Sequence, residues 1–114
     1  MSRAFAAMGW HVGIHYGRNK QAATVTLRLV LSAGSRGTLY QADIRDPKAV
    51  RQMVESWRIH ADTPIAFVCN AGIAGGTLLI RHSEQTWHNI IATNLTGVFY
   101  CLRAVAPVLM AHGG

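Results

Sequence analysis

The feature that most constrains the fold of this chain is a repeated alternation between two hydrophobic periods. Short runs rich in aromatic and β-branched residues predict strands over 10–16, 38–42 and 65–69. Around them, apolar residues recur every three or four positions, which predicts helices over 1–8, 19–33, 46–60 and 83–109. Strands that alternate with helices join into a parallel sheet through right-handed crossovers. We therefore expect an α/β sandwich with a parallel sheet.

Local signals indicate where these elements begin and where a ligand would bind. The run 65–69 is continuously apolar, which is typical of a strand buried on both faces. Asp46 and Pro47 are a strong helix start, because the carboxylate caps the first turn and proline needs no donor there. Ligands of parallel sheets bind beyond the carboxyl ends of the strands. Those positions are 17–19, 43–44 and 70–72.

Composition excludes several classes of protein. The 114 residues, half of them apolar, favour one domain over 1–114. The net charge is +6, but the nine arginines are scattered singly, so we expect no nucleic-acid binding. No segment has the pattern of a signal peptide or the length of a membrane span, which favours the cytoplasm. The two cysteines show no ligand spacing, so we expect no metal site and two buried thiols.

Two short motifs carry a resemblance that covers essentially the whole chain. Asn-Ala-Gly follows the third predicted strand at 70–72, and Asn-Leu-Thr-Gly occupies 94–97. With Arg18 and Asp43 before them in the same order, they resemble the short-chain dehydrogenase/reductase family. The likeness is strongest to the 3-oxoacyl-acyl-carrier-protein reductases. It implies a Rossmann-like NAD(P)-binding domain that takes NADP, and a substrate presented on an acyl carrier protein.

The resemblance assigns the adenosine half of the cofactor to the ends of the first two predicted strands. Arg18, followed by Asn19, matches the position that reads the ribose, and its guanidinium suits the 2′-phosphate of NADP. Asp43 and Ile44 match the adenine contact, through a carboxylate and a backbone amide. From the residues alone, two plainer interpretations stay open. Arg18 is then a solvated turn arginine, and Asp43 only caps the turn before the next helix.

The resemblance assigns Asn70, Ala71 and Gly72 to the segment that passes beneath the cofactor ribose, where small residues let the backbone approach a ligand. The family often has a further asparagine where this chain has Cys69. Asn94 matches a member of the catalytic set that distorts its helix and holds a water. An ordinary glycine-containing loop and a polar residue on a helix edge are the alternatives for these two regions.

The resemblance also implies parts that lie outside these 114 residues. The family's first strand and its glycine-rich turn would precede Met1, and later strands with the catalytic serine and Tyr-x-x-x-Lys motif would follow Gly114. We expect the sheet to be incomplete, with a gap between the strands at 10–16 and 65–69. The chain is then expected to be inactive by itself. The alternative is a non-catalytic remnant or a module that oligomerises through the helix at 83–112.

Overall fold

The computed structural model describes residues 1–60 and 66–112. Its strands are β1 (Val12–Tyr16) and β2 (Gly37–Gln41). Its α-helices are α1 (Ser2–Ala7), α2 (Lys20–Ser32), α3 (Pro47–His60), α4 (Glu84–Ile91) and α5 (Val98–Ala111). A 3₁₀ turn covers Leu79–Arg81, and a π-helical segment, Ala92–Gly97, joins α4 to α5. The predicted order of elements is confirmed up to residue 60, with boundaries shifted by one or two residues.

The sheet of the described chain consists of β1 and β2, which run parallel with Val12 opposite Gly37 and Tyr16 opposite Gln41. Parallel strands cannot be joined by a hairpin, and here α2 makes the crossover. Val30 of α2 is fully buried in this unit, and Gly37 lets β2 lie close to the helix. A β-carbon at Gly37 would lie 2.6 Å from Leu27 and 3.1 Å from Val30.

Two apolar clusters lie on opposite faces of the sheet. Val12 and Ile14 of β1 pack with α1 and α2, which contribute Ala6, Ala23 and Val30. On the other face the cluster contains Tyr40 of β2, three residues of α3 and one of α5: Val50, Met53, Val54 and Cys101. Side chains that alternate across β1 and β2 thus supply both clusters, as the pleat requires. The expected three-layer α/β sandwich is confirmed, and its sheet is incomplete.

Capping residues explain where several helices begin and end. The Asn19 side chain accepts from the Ala22 amide at 2.9 Å, and Ser83 accepts from the Thr86 amide at 3.1 Å. Gly9 and Gly34 follow α1 and α2 with φ of +83° and +77°. A residue with a β-carbon is strained in this left-handed region, so glycine is the favoured helix terminator there.

The helical stretch Glu84–Ala111 has 28 residues and a mean hydropathy of 1.4 in its most apolar part. By length and composition it is able to cross a membrane, so the expectation that no segment is long enough is wrong. One such helix is weak evidence for a span, because core helices pass the same test. In this fold α5 packs against α3 through the buried Cys101 and the partly buried Ala104 and Val108.

The predicted strand at 65–69 is not formed over 66–69, and residue 65 lies outside the described residues. A strand exists only where a neighbour completes its hydrogen-bond ladder. In the described chain β1 pairs with β2 alone, and a wide cavity lies between β1 and the segment 66–70. The apolar run is therefore held by side-chain packing, as in the edge-on contact of Phe67 with Trp57 at 5.9 Å.

The prediction of two buried thiols is half right. Cys101 lies in the core, whereas Cys69 is exposed because no neighbouring strand covers its segment. Burial raises the pKa of both thiols, and that of Cys101 reaches about 11. Since the thiolate is the reactive form, both thiols are slow at neutral pH, and Cys101 is also shielded by its surroundings.

Alkylation with iodoacetamide at pH 8.5 will modify Cys69 first in the native chain. Cys101 is expected to react only at the rate of unfolding, because its thiol is both buried and protonated. Peptide mass spectrometry at timed intervals measures the two rates separately. A Cys69→Ser variant provides the control, since its remaining thiol should stay unmodified until denaturant is added. Equal rates in the native chain would contradict the packing of α5.

Candidate functional site

The cavity beside β1 has a volume of about 1400 Å³ and runs along the strand to the turns that follow β1 and β2. This volume exceeds the range of roughly 300–1,000 Å³ that is usual for small-ligand sites. Its walls come from β1, the turns after both strands, α3 and the segment 66–73. All seven residues predicted to bind the cofactor line it: Arg18, Asn19, Asp43, Ile44, Asn70, Ala71 and Gly72. The structure thus brings three separate sequence motifs to one space.

The turn after β1 places Arg18 at the cavity rim. Asn19 is occupied as the cap of α2, so its oxygen points at the helix rather than into the cavity. The Gln41 side chain donates to the Gly17 carbonyl at 3.2 Å, which ties the turn to β2. Arg18 is exposed, and its side chain makes no hydrogen bond or ion pair within the described residues. Its guanidinium is available to an anionic ligand.

Asp43, at the end of β2, is held by Arg45 two residues later. Arg45 Nε donates to Oδ1 at 2.9 Å and to Oδ2 at 3.2 Å, and Nη2 donates to Oδ2 at 2.5 Å. The Arg45 backbone amide adds a bond to Oδ1 at 3.0 Å. These bonds lower the pKa of the Asp43 carboxyl to about 2, with a smaller contribution from the charge of Arg18.

The Asp43 pKa sets the pH window of the Asp43–Arg45 pair. The folded value of about 2 lies below the ordinary 3.8, so the pair stabilises the fold at neutral pH. That contribution declines as the pH falls through the interval between the two values. Because both side chains are partly exposed to solvent, water and salt screen the pair and its contribution is small.

Ile44 separates the cavity from the core. Its side chain is buried in the cluster that contains Cys101 of α5, and the residue also lines the cavity. Gly97 permits the contact, since a β-carbon there would lie 2.9 Å from the Ile44 side chain and 3.1 Å from its carbonyl oxygen. Within residues 1–60 and 66–112 the Ile44 amide has no acceptor, so it is available to a ligand.

Asn94 joins the long helix to the loop that follows residue 70. Its Oδ1 accepts from the Ile73 amide at 2.9 Å, and its Nδ2 donates to the Ile73 carbonyl at 2.8 Å. Gly72 lies beside this amide. A β-carbon added at Gly72 would lie 3.5 Å from Asn94 Oδ1, which is an ordinary contact distance. The surrounding segment Ala92–Gly97 is π-helical, so the local distortion that the resemblance implies at Asn94 is present.

The catalytic role of Asn94 stays a prediction. Asn94 does not line the cavity itself, although Asn89, Thr93 and its partner Ile73 do. The spacing Tyr-x-x-x-Lys does occur within the chain, at Tyr16 and Lys20. Residues four apart meet on one helix face, but Tyr16 ends β1 and Lys20 begins α2. The pair is therefore not arranged as a helical Tyr–Lys unit.

Two residues of the site escaped the sequence analysis. Arg45 contacts Asp43, and the only sequence signal was its position two residues later in the same turn. His15 lines the cavity and donates from Nε2 to the Ala42 carbonyl at 3.0 Å. Successive side chains of a strand point to opposite faces of the sheet, so the sequence already placed His15 on the face opposite Ile14. In the described part of the chain no three His, Cys, Asp or Glu side chains converge on a metal site.

Comparisons with known proteins agree on one family. The family profile described as enoyl-(acyl carrier protein) reductase matches residues 1–114. The 3-oxoacyl-acyl-carrier-protein reductase FabG of Staphylococcus epidermidis is 30% identical over 105 residues, which are 92% of this chain and 43% of the relative. The 3-oxoacyl-acyl-carrier-protein reductase of Synechocystis is 31% identical over 94% of this chain and 43% of its own. The chain thus spans less than half the length of these relatives.

Solved structures agree on the fold. A metagenomic short-chain oxidoreductase in complex with NADP superposes with a TM-score of 0.86 at 23% identity, over 96% of this chain and 50% of its own. A Burkholderia xenovorans protein described as a short-chain dehydrogenase/reductase also gives 0.86, at 22% identity over 96% of this chain and 47% of its own. At this identity the likeness concerns the fold, and it confirms the Rossmann-like prediction.

Replacing Asn94 by alanine should release the loop at Ile73. Both hydrogen bonds to the Ile73 backbone disappear, at a cost of about 1–3 kcal/mol in unfolding free energy. Hydrogen exchange at the Ile73 amide is expected to accelerate, while exchange in β1 changes little. Asn89→Ala is the matched control, because within the described residues the Asn89 side chain bonds to Gln85 on its own helix and not to the loop. Unchanged protection of Ile73 in Asn94→Ala would contradict the tether.

Proposed function

The chain belongs to the short-chain dehydrogenase/reductase family, and we propose that the protein it represents is an oxidoreductase that transfers a hydride from NADPH. The observation that carries the proposal is the convergence of Arg18, Asp43 and the 70–72 loop on one cavity. Bound there, the cofactor would supply the hydride, while these residues would hold its adenosine half and the adjacent ribose. The chain's own contribution is binding and orientation.

The preference for NADPH over NADH rests on Arg18. Its exposed guanidinium at the cavity rim has no partner within the described residues. A phosphate monoester would find a bidentate donor there, whereas a bare 2′-hydroxyl would gain little. Asp43 does not cancel this charge, because Arg45 already neutralises its carboxylate.

For the substrate we propose a 3-oxoacyl thioester on an acyl carrier protein, reduced to the 3-hydroxyacyl product. Two relatives that carry the name 3-oxoacyl-acyl-carrier-protein reductase support this choice over the enoyl substrate in the family description. The net charge of +6 would favour an acidic carrier protein. Two free cysteines fit a reducing compartment, so we place the protein in the cytoplasm.

These 114 residues are proposed to turn over no substrate alone, and an association module is the second candidate function. An exposed apolar stripe along the long helix favours it, formed by Leu95, Phe99, Leu102 and Met110. Their spacing of four, three and eight residues keeps them on one helix face. Exposed apolar patches of this kind mark association sites, so we propose that copies of the chain pair through this helix.

An Arg18→Gln variant tests the cofactor proposal. NADPH binding, measured by nucleotide fluorescence, should weaken roughly tenfold or more, because a charged hydrogen bond to phosphate is lost. NADH binding should change less than about twofold by the same reasoning. Arg51→Gln on the exposed side of α3 serves as the control, since Arg51 does not line the cavity. Equal loss for both nucleotides, or none, would contradict the assignment.

A Phe99→Glu variant tests association through the helix. Sedimentation velocity should show the natural chain as a dimer or larger species, and the variant as a monomer, because a charge in an apolar contact opposes burial. Leu31→Glu is the matched control, since Leu31 is an exposed leucine on α2, away from the stripe. A monomeric natural chain, or equal effects of both substitutions, would count against the module.

A further inference from the structure

We infer that Arg45 is a positioning residue, which holds the Asp43 carboxylate in the orientation that accepts the exocyclic amino group of an adenine. The inference rests on the proposed cofactor site and adds to it a division of labour between two arginines. Arg45 acts through Asp43 on the base, and Arg18 acts directly on a phosphate. The Arg45 guanidinium is hydrogen-bonded to Asp43, whereas the Arg18 guanidinium makes no hydrogen bond within the described residues.

Arg45 is held to Asp43 by several hydrogen bonds. Three donors, namely its backbone amide, Nε and Nη2, reach the two carboxylate oxygens at 2.5–3.2 Å. The pair sits in one turn, so no movement of a distant element is needed to form it. A fork of this type fixes both the rotamer and the plane of the carboxylate. Without it, the Asp43 side chain, which is 48% exposed, would sample several rotamers.

The bonds from Arg45 also limit what Asp43 is able to accept. An ionised carboxylate has about four lone-pair sites, and three N–H groups of Arg45, with Nε shared between both oxygens, fill most of them. Roughly one acceptor site remains for a ligand, which suits one N–H of an adenine amino group. Asp43 lines the cavity beside the Ile44 amide, which lacks an acceptor in the described chain. One acceptor and one donor side by side complement the amino edge of adenine.

Arg18 differs from Arg45 in having its guanidinium free of hydrogen bonds within the described residues. Its charge nevertheless acts on Asp43, so the two groups share one electrostatic environment. The charges of Asp43 and Arg45 cancel each other, so Arg18 gives the cavity rim a net positive charge. An added phosphate would therefore go to Arg18, and removal of Arg45 would disturb the base contact first.

The test compares ligands of equal charge, so that the electrostatic effect of removing an arginine cancels. Adenosine 5′-monophosphate has the amino group, and inosine 5′-monophosphate has a carbonyl oxygen in its place. Calorimetric titration of the 114-residue chain should give a preference for the adenosine ligand of roughly threefold to tenfold, as one hydrogen bond provides. In Arg45→Gln the ratio should fall toward one, and Arg45→Lys, which lacks the fork, should give an intermediate ratio.

Two further variants separate this inference from the proposed function. Arg18→Gln should keep the adenosine-to-inosine ratio but lose the preference for adenosine 2′,5′-bisphosphate over the monophosphate. Arg51→Gln should change neither. Carbon NMR of Asp43 gives a ligand-free readout, because its pKa of about 2 should rise toward 3.8 in Arg45→Gln. Circular dichroism checks that each variant is folded.

Each outcome decides one of the two claims. An unchanged adenosine-to-inosine ratio in Arg45→Gln overturns the positioning role while leaving the cofactor site intact. A loss confined to the 2′-phosphate ligand also overturns it, since Arg45 would then contact phosphate directly. If the natural chain binds none of the nucleotides, the proposed cofactor site fails, and the positioning role fails with it.

Discussion

The structure depends on the parallel pairing of β1 with β2 between two apolar layers. A pair of five-residue strands is marginal in water, so its stability comes from the helices that cover both faces. Val30 and Val50, one on each face, are fully buried and hold α2 and α3 against the sheet. Because Tyr16 lies opposite Gln41, the same pairing also places the turns that follow the two strands next to each other. Arg18 and Asp43 are therefore close in space although 25 positions apart in sequence.

The unpaired edge of β1 explains both the cavity and the weakest part of the fold. Backbone groups along that edge have no ladder partner in the described chain, and the segment 66–70 across the cavity has none either. Asn94 compensates at one point, because its amide satisfies the Ile73 backbone as a strand neighbour would. A ligand that fills the cavity would bind the folded state alone and stabilise it by mass action.

Sequence patterns predicted the elements whose causes are local. Asn19 and Gly34 mark the two ends of α2, and these ends followed from neighbouring residues. The apolar period did not fix the buried face of α2, because Ala23 and Val30 are buried whereas Val25 and Leu29 are exposed. The strand at 65–69 was mispredicted because its existence depends on a neighbour, which periodicity cannot supply. Cys69 was misplaced for the same reason. The candidate site residues came from the resemblance and stay predictions; the contact of Arg45 with Asp43 was not predicted, since it depends on rotamers that no pattern encodes.

The close approach of Gly97 to Ile44 links the two halves of the site. Gly97 ends the π-helical segment that contains Asn94, and Ile44 follows the carboxylate that Arg45 holds. A β-carbon at residue 97 would lie 2.9 Å from the Ile44 side chain and 3.1 Å from its carbonyl oxygen, so a larger residue there would force Ile44 or the helix to shift. Ile44, next to Asp43, and the 70–73 loop are thereby fixed to one helix. A shift at either end would be transmitted through close packing, which tolerates little displacement.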